Sequence, residues 1–123
     1  MKANWDEIRI LAQSEIEKVL LELPEPLRAQ AEKIPILLKK VPSRRLQSEG
    51  IEADTLGLFT GAEFADEGAE VLPPQIILFL DNLWSFAAGD ERVYRSEIRT
   101  TFLHELGHFF GLGEGELTER GLE

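Results

Sequence analysis

The order of elements in the sequence predicts an α+β domain: a small sheet packed against a long N-terminal helix and a long C-terminal one. Three observations carry that expectation. Apolar residues recur at three- and four-residue steps over 5–23 and again over 93–109, the spacing of helices with one buried face. Between those stretches lie short apolar runs bounded by proline, glycine and polar clusters, which read as strands. At 123 residues the chain is expected to form a single domain over 1–123, large enough for one core. A second substantial subdomain does not fit, so a cleft would have one well-formed wall.

Asn4 with Glu7 has the spacing of a helix-starting box, and Trp5, Ile8, Ala12, Ile16, Val19 and Leu23 form the stripe of the first helix, which Pro24 stops. Leu27 to Lys33 is long enough for two helical turns. Pro35 and the run ILLKKV, up to Pro42, predict a strand. Because proline has no N–H, that strand lies at an edge or starts after Pro35. Lys39, Lys40, Arg44 and Arg45 form the one basic cluster; charge guarding an exposed edge accounts for it better than substrate contact does.

A second strand is expected around Leu56 to Thr60. The acidic loop that follows, from Gly61 to Leu72, lacks the ligand pattern of a calcium loop and reads as a polar loop or as a flap beside a cleft. LPPQIILFL supplies a strand that is apolar on both faces, and its run from Ile76 to Leu80 has the length of a buried strand. DNLWSFAAG then leads to the last helix, with Trp84 and Phe86 expected to pack on that helix or to line the cleft.

That helix is predicted from about Asp90 to Phe110. Asp90 can cap it, Glu91 suits its first turn through the macrodipole, and Val93, Ile98, Phe102, Leu106 and Phe109 approximate its apolar stripe. It carries HELGH, from His104 to His108, which holds both histidines of the chain. Residues four apart on a helix lie on one face about 6 Å apart along the axis, so two imidazoles can converge on one metal ion. Glu105 sits roughly 100° around the helix from His104, where a carboxylate can accept a proton from a water held beside such an ion. The residue types and their spacing are those of a zinc-hydrolase site. Gly107 costs roughly 1 kcal/mol against alanine in a helix interior and marks either a close approach or a tolerated weak spot.

Past the second histidine, Gly111 and Gly113 allow the chain to leave the helix and double back towards a metal. In the extended pattern H-E-x-x-H-x-x-G-x-x-H, the glycine position falls on Gly111 and the third-ligand position on Glu114. Glu116 and Glu119 are the alternatives. Two histidines and a carboxylate with one open position form a known catalytic zinc set, less positive than three histidines would make it. Tyr94, the only tyrosine, stands about 15 Å up the helix from His104 and is a poor oxyanion donor; Arg120 or a backbone N–H is left for that role.

TTFLHELGHFFGLGEGEL resembles the C-terminal signature of the small bacterial zincin-like metallopeptidases, a family in which a minimal zincin domain of about this length stands alone. LPPQIILFLDN is similar to the strand before that family's active-site helix, TLGLFTG to its central strand and IEKVLLELPEPL to its opening helix. The resemblance implies a minimal zincin-type α+β fold, zinc at His104 and His108, and Glu105 as the general base. It says little about substrate.

Composition bounds the rest. The absence of cysteine excludes disulfides and thiolate zinc sites, and the absence of a charged-then-apolar leader makes the cytoplasm the expected compartment. No apolar run reaches the eighteen or so residues of a membrane span. A formal charge of −10 disfavours nucleic-acid and anionic-membrane partners. The expectation is therefore a zinc metallopeptidase with one Zn²⁺ per chain, acting on a peptide or protein substrate. A non-catalytic metal- or peptide-binding domain, and a zinc hydrolase of a small amide or ester, are the readings that compete with it.

Overall fold

Asn4 opens the first element, its Oδ1 accepting from the backbone N–H of Asp6 at 2.8 Å, and helix α1 runs Trp5–Glu22 before Pro24 ends it. The structure is a computed structural model that describes residues 4–60 and 74–111. In it α1 is followed by α2 (Glu25–Ala31), β1 (Ile36–Lys39), α3 (Arg44–Ser48), β2 (Gly57–Thr60), β3 (Gln75–Phe79), α4 (Leu80–Phe86) and α5 (Glu91–Phe109). The class is α+β: five helices and a three-stranded mixed sheet among the described residues, consistent with a minimal zincin-like domain. No described helix is long and apolar enough to cross a membrane.

The sheet order is β1-β3-β2, with β1 parallel and β2 antiparallel to β3. The TLGLFTG segment, expected as the central strand, forms the outer strand β2 among the described strands; β3 takes the middle because it is apolar on both faces, Ile76 and Leu78 entering the main core while Ile77 and Phe79 join Leu58 in a smaller cluster on the other face. Both readings of Pro35 hold. β1 is an edge strand, and it starts one residue later, the Pro35 carbonyl still accepting from the Ile76 N–H at 3.0 Å.

Two short helices are missing from the sequence reading. In the basic cluster, Ser43 caps α3 by accepting from the Leu46 N–H at 3.2 Å, and Leu46 packs onto the smaller cluster. Five residues with one apolar anchor are too few to show a helical period. The other is α4, which follows β3 without a loop and buries Leu80 and Leu83. There the apolar run passes unbroken from strand to helix, so its periodicity has no boundary to mark. Trp84 packs edge-on against Tyr94 with ring centroids 5.1 Å apart, as expected, but Phe86 is 62% exposed and packs on nothing in the core.

α5 crosses the main face of the sheet and is gripped from behind by α1. Ile98, Phe102 and Leu106 are wholly buried on it, whereas Val93 is exposed and Tyr94 takes its expected place in the stripe. The Tyr94 hydroxyl donates to the Ile8 carbonyl of α1 at 2.8 Å, and Glu15, itself buried, sits 3.4 Å from an Arg95 guanidinium nitrogen. Arg99 pairs with Glu22 at the far end of the same interface. Ion pairs as open as Arg99 with Glu22 contribute about 0–1 kcal/mol, while each large apolar side chain buried here contributes about 1.5–3 kcal/mol. The apolar seam holds α5 in place; the polar pairs fix its register.

Burial pushes the Tyr94 phenol well above the usual range, and the charge of Asp81 adds to the push. The folded protein therefore holds that proton more tightly than the unfolded chain, whose tyrosine ionises near pH 10. Stability from this group is present below about pH 10 and lost as pH rises beyond it. Tyr94→Phe is expected to cost about 1 kcal/mol at neutral pH, the usual net worth of one hydrogen bond, and to weaken the loss of stability above pH 10. Urea denaturation at pH 7 and pH 11 measures both effects.

Candidate metal centre

Residues 101–109 of α5 divide between two neighbourhoods. Phe102 and Leu106 point into the core, and His104 and His108, one turn apart, are half-buried at its margin. The capped start at Asp90, whose side chain accepts from the Val93 N–H at 3.1 Å, and the α1 seam hold the helix that presents them.

The Nε2 atoms of His104 and His108 lie 3.2 Å apart, with the rings at 84° and their centroids 4.7 Å apart. Two bare imidazole lone pairs that close repel each other, so the arrangement calls for a shared proton or a cation. Nitrogens at that separation, each about 2.0–2.1 Å from one ion, subtend about 100° there, close to the tetrahedral angle of zinc sites. The separation of the donor pair thus fits zinc. Glu105 completes the group: one ligand atom from each of His104, Glu105 and His108 falls within 4.8 Å of the others.

Glu105 is 9% exposed and faces β2, its Cγ lying beside Gly57. Four residues on, Phe109 meets Phe59 of the same strand with ring centroids 6.0 Å apart. β2 and the end of α5 therefore run alongside each other, and the carboxylate lies between the strand and the histidine pair. After α5 the chain turns at Gly111, whose φ of +75° is a left-handed conformation that suits glycine. Its N–H donates to the His108 carbonyl at 3.0 Å. The doubling back towards a metal read from the sequence falls on the residues after Gly111, outside the described residues.

The sequence model of the zincin-like metallopeptidase family matches residues 31–122, three quarters of the chain. The chain belongs to the zincin-like metallopeptidases. No curated protein matches it. The matched span covers the sheet and α5 but leaves out α1, so the opening helix, read from the sequence as part of the resemblance, lies outside it. In a zincin-like chain a His-Glu-His group on a helix is the place to look for zinc, and the structure brings those three residues together.

Glu114, Glu116, Glu119 and Arg120 lie outside the described residues, as does the acidic loop from Gly61 to Leu72. Tyr94 is correctly set aside as an oxyanion donor, since it is wholly buried with its hydroxyl committed to Ile8. The basic cluster is split: α3 packs on the sheet face opposite α5, and Lys40 lies over the Trp5 ring at 5.5 Å. A depression between Leu56 and Phe86, with Glu52 and Asp54 on its wall, contains none of the three site residues. Two residues beside the centre escape the sequence reading, Gly57 and Thr101. The available signal was a lone glycine inside a strand, which marks a close approach of backbone to a neighbour.

The geometry is expected to give chelation by both rings. Competition against a zinc-chelating dye should show His108→Ala weakening zinc binding by more than about 100-fold, beyond the 10–100-fold typical of losing a group that merely supports a ligand. The same loss is expected for His104→Ala.

Proposed function

We propose that this zincin-like chain is a zinc-dependent metallopeptidase in which His104, His108 and Glu114 hold one zinc ion and Glu105 handles the proton. The observation that carries the reading is the 3.2 Å separation of the two Nε2 atoms with the Glu105 carboxylate beside them. Zinc held there supplies Lewis-acid polarisation of a carbonyl and an acidified water as nucleophile. Glu114 as third ligand rests on its place in the motif and on the left-handed φ of Gly111, from which a chain can double back.

Glu105 does the work that falls to this chain's own residues. Its carboxylate accepts the proton of the attacking water while the water oxygen bonds to the scissile carbonyl carbon. When the C–N bond breaks, the same carboxyl group delivers that proton to the leaving amine. Burial next to β2 favours this role, because a carboxylate fixed between strand and helix has few orientations to search. The general-base reading of Glu105 needs proximity to the histidine pair, and the arrangement on α5 supplies it.

A peptide or an exposed protein segment suits the surroundings better than a small amide. Beside Glu105 lies β2, an outer strand with no partner on its far side among the described residues, and an extended peptide can add to such an edge through main-chain hydrogen bonds. The depression near Phe86 holds none of the site residues, so it is not a substrate pocket of this centre. A charge of −10 gives no footing for nucleic-acid or anionic-membrane partners. The cytoplasm remains the compartment we propose, and the cysteine-free composition is compatible with it.

Glu105→Gln is expected to keep zinc while lowering turnover of a cleaved peptide by about 10²–10⁴-fold, the usual range for losing a general base. Undiminished turnover would contradict the assignment. Glu114→Ala is expected to lose zinc, measured by elemental analysis of protein purified without chelator; full retention would move the third ligand elsewhere.

A further inference from the structure

Glycine in a strand gives up side-chain packing and costs backbone entropy, so its place is explained where a neighbour leaves no room for a Cβ. Gly57 opens β2 opposite Leu78 of β3, on the face turned to α5. A Cβ at that position would stand 2.6 Å from Cγ2 of Thr101, 3.2 Å from Cδ2 of Leu78 and 3.4 Å from Cγ of Glu105. The first of these is far inside the roughly 3.5–4.0 Å of optimal carbon contact.

The neighbours cannot easily yield. Thr101 is buried and β-branched on a helix, where its side chain has few rotamers to choose from. Leu78 is wholly buried in the central strand. To admit a methyl group, β2 must lift from α5 by about 1 Å. Thr101 and Glu105 lie one turn apart on the same stripe of α5, so the strand that bears on one bears on the other.

We propose that Gly57 is a positioning residue for Glu105. By lacking a side chain it lets β2 seat against Thr101 and against the methylene stem of Glu105, and this contact aims the carboxylate at the water beside the histidine pair. The inference rests on the reading of Glu105 as the group that moves the proton. An error of about 1 Å in such a group is enough to cost about 100-fold in rate.

The test uses the chain loaded with cobalt(II), which accepts nitrogen and oxygen ligands as zinc does and has visible absorption bands that respond to the groups hydrogen-bonded to its water. Four proteins are compared: the unaltered chain, Glu105→Gln, Gly57→Ala, and Gly57→Ala combined with Thr101→Ala, which removes the methyl group that the new Cβ would strike. Glu105→Gln should displace the bands, Gly57→Ala should displace them in the same direction, and the double variant should return them to those of the unaltered chain. A merely structural glycine would not give that rescue in the metal's spectrum. If Gly57→Ala alone fails to fold, the folded double variant with unaltered bands supports the proposal.

Cobalt bound with unaltered bands in Gly57→Ala would overturn the positioning role and leave the metallopeptidase reading intact. Unaltered bands in Glu105→Gln would overturn it as well, since Glu105 would then not reach the metal's water. A double variant that stays unfolded, or keeps displaced bands, would overturn the spacing argument. No cobalt bound by the unaltered chain would instead remove the metal reading itself, and this inference with it.

Discussion

Two imidazole nitrogens held 3.2 Å apart are a constraint that the rest of the molecule must maintain, because without a shared proton or a cation their lone pairs repel. A helix can impose that separation only if it is itself held. α5 is held on two sides: α1 grips it through Tyr94 to Ile8 and Arg95 to Glu15, and the sheet presses on Ile98, Phe102 and Leu106. Burial of those side chains, at about 1.5–3 kcal/mol each, fixes the helix that carries the pair, and two neutral rings can meet at this distance with one Nε2–H donating to the other Nε2. The centre is preorganised by ordinary core packing, which is how a short chain can support a metal site.

Chemistry and core share one helix without a layer between them. Leu106 is wholly buried, Glu105 nearly so, and His104 and His108 are half-buried within the same turn and a half. The carboxylate gains its fixed orientation by lying against β2, and the histidines keep enough exposure to admit an ion. That division follows from helical geometry: residues 102 and 106 share the core face, 101 and 105 the strand face, and 104 and 108 the open margin. The position of Thr101 shows the same logic at the level of a single methyl group, since its fit against Gly57 sets how closely strand and helix approach.

Much of this was legible in the sequence where a long period or a spaced motif carried it. The stripes of α1 and α5, the caps at Asn4 and Asp90, the two-faced apolarity of β3 and the confinement of β1 by Pro35 all follow from local rules, whereas the likeness of TLGLFTG to a central strand misled, since β2 lies outside β3. The short helices α3 and α4 were not legible, one being too brief for a period and the other fused to an apolar strand. Phe86 was expected to pack on the last helix or to line the cleft and is exposed, because α4 is a helix there and turns that side chain away while Trp84 reaches Tyr94. The close contact at Gly57, on the strand facing α5, was not legible either. Such a contact depends on how two distant segments meet, and spacing along one of them does not encode it. For the site, HELGH placed both histidines and the glutamate together, whereas Glu114, proposed as the third ligand, lies outside the described residues.

The central claim is that His104 and His108 act as a chelating pair for one zinc ion. X-ray absorption at the zinc edge, on chain loaded with one equivalent of zinc, examines it most directly. The expected first shell contains two imidazoles at about 2.0–2.1 Å together with oxygen ligands, at one zinc per chain. A shell with a single imidazole, or with none, would contradict the claim, because the two rings would then owe their closeness to a shared proton and not to a metal.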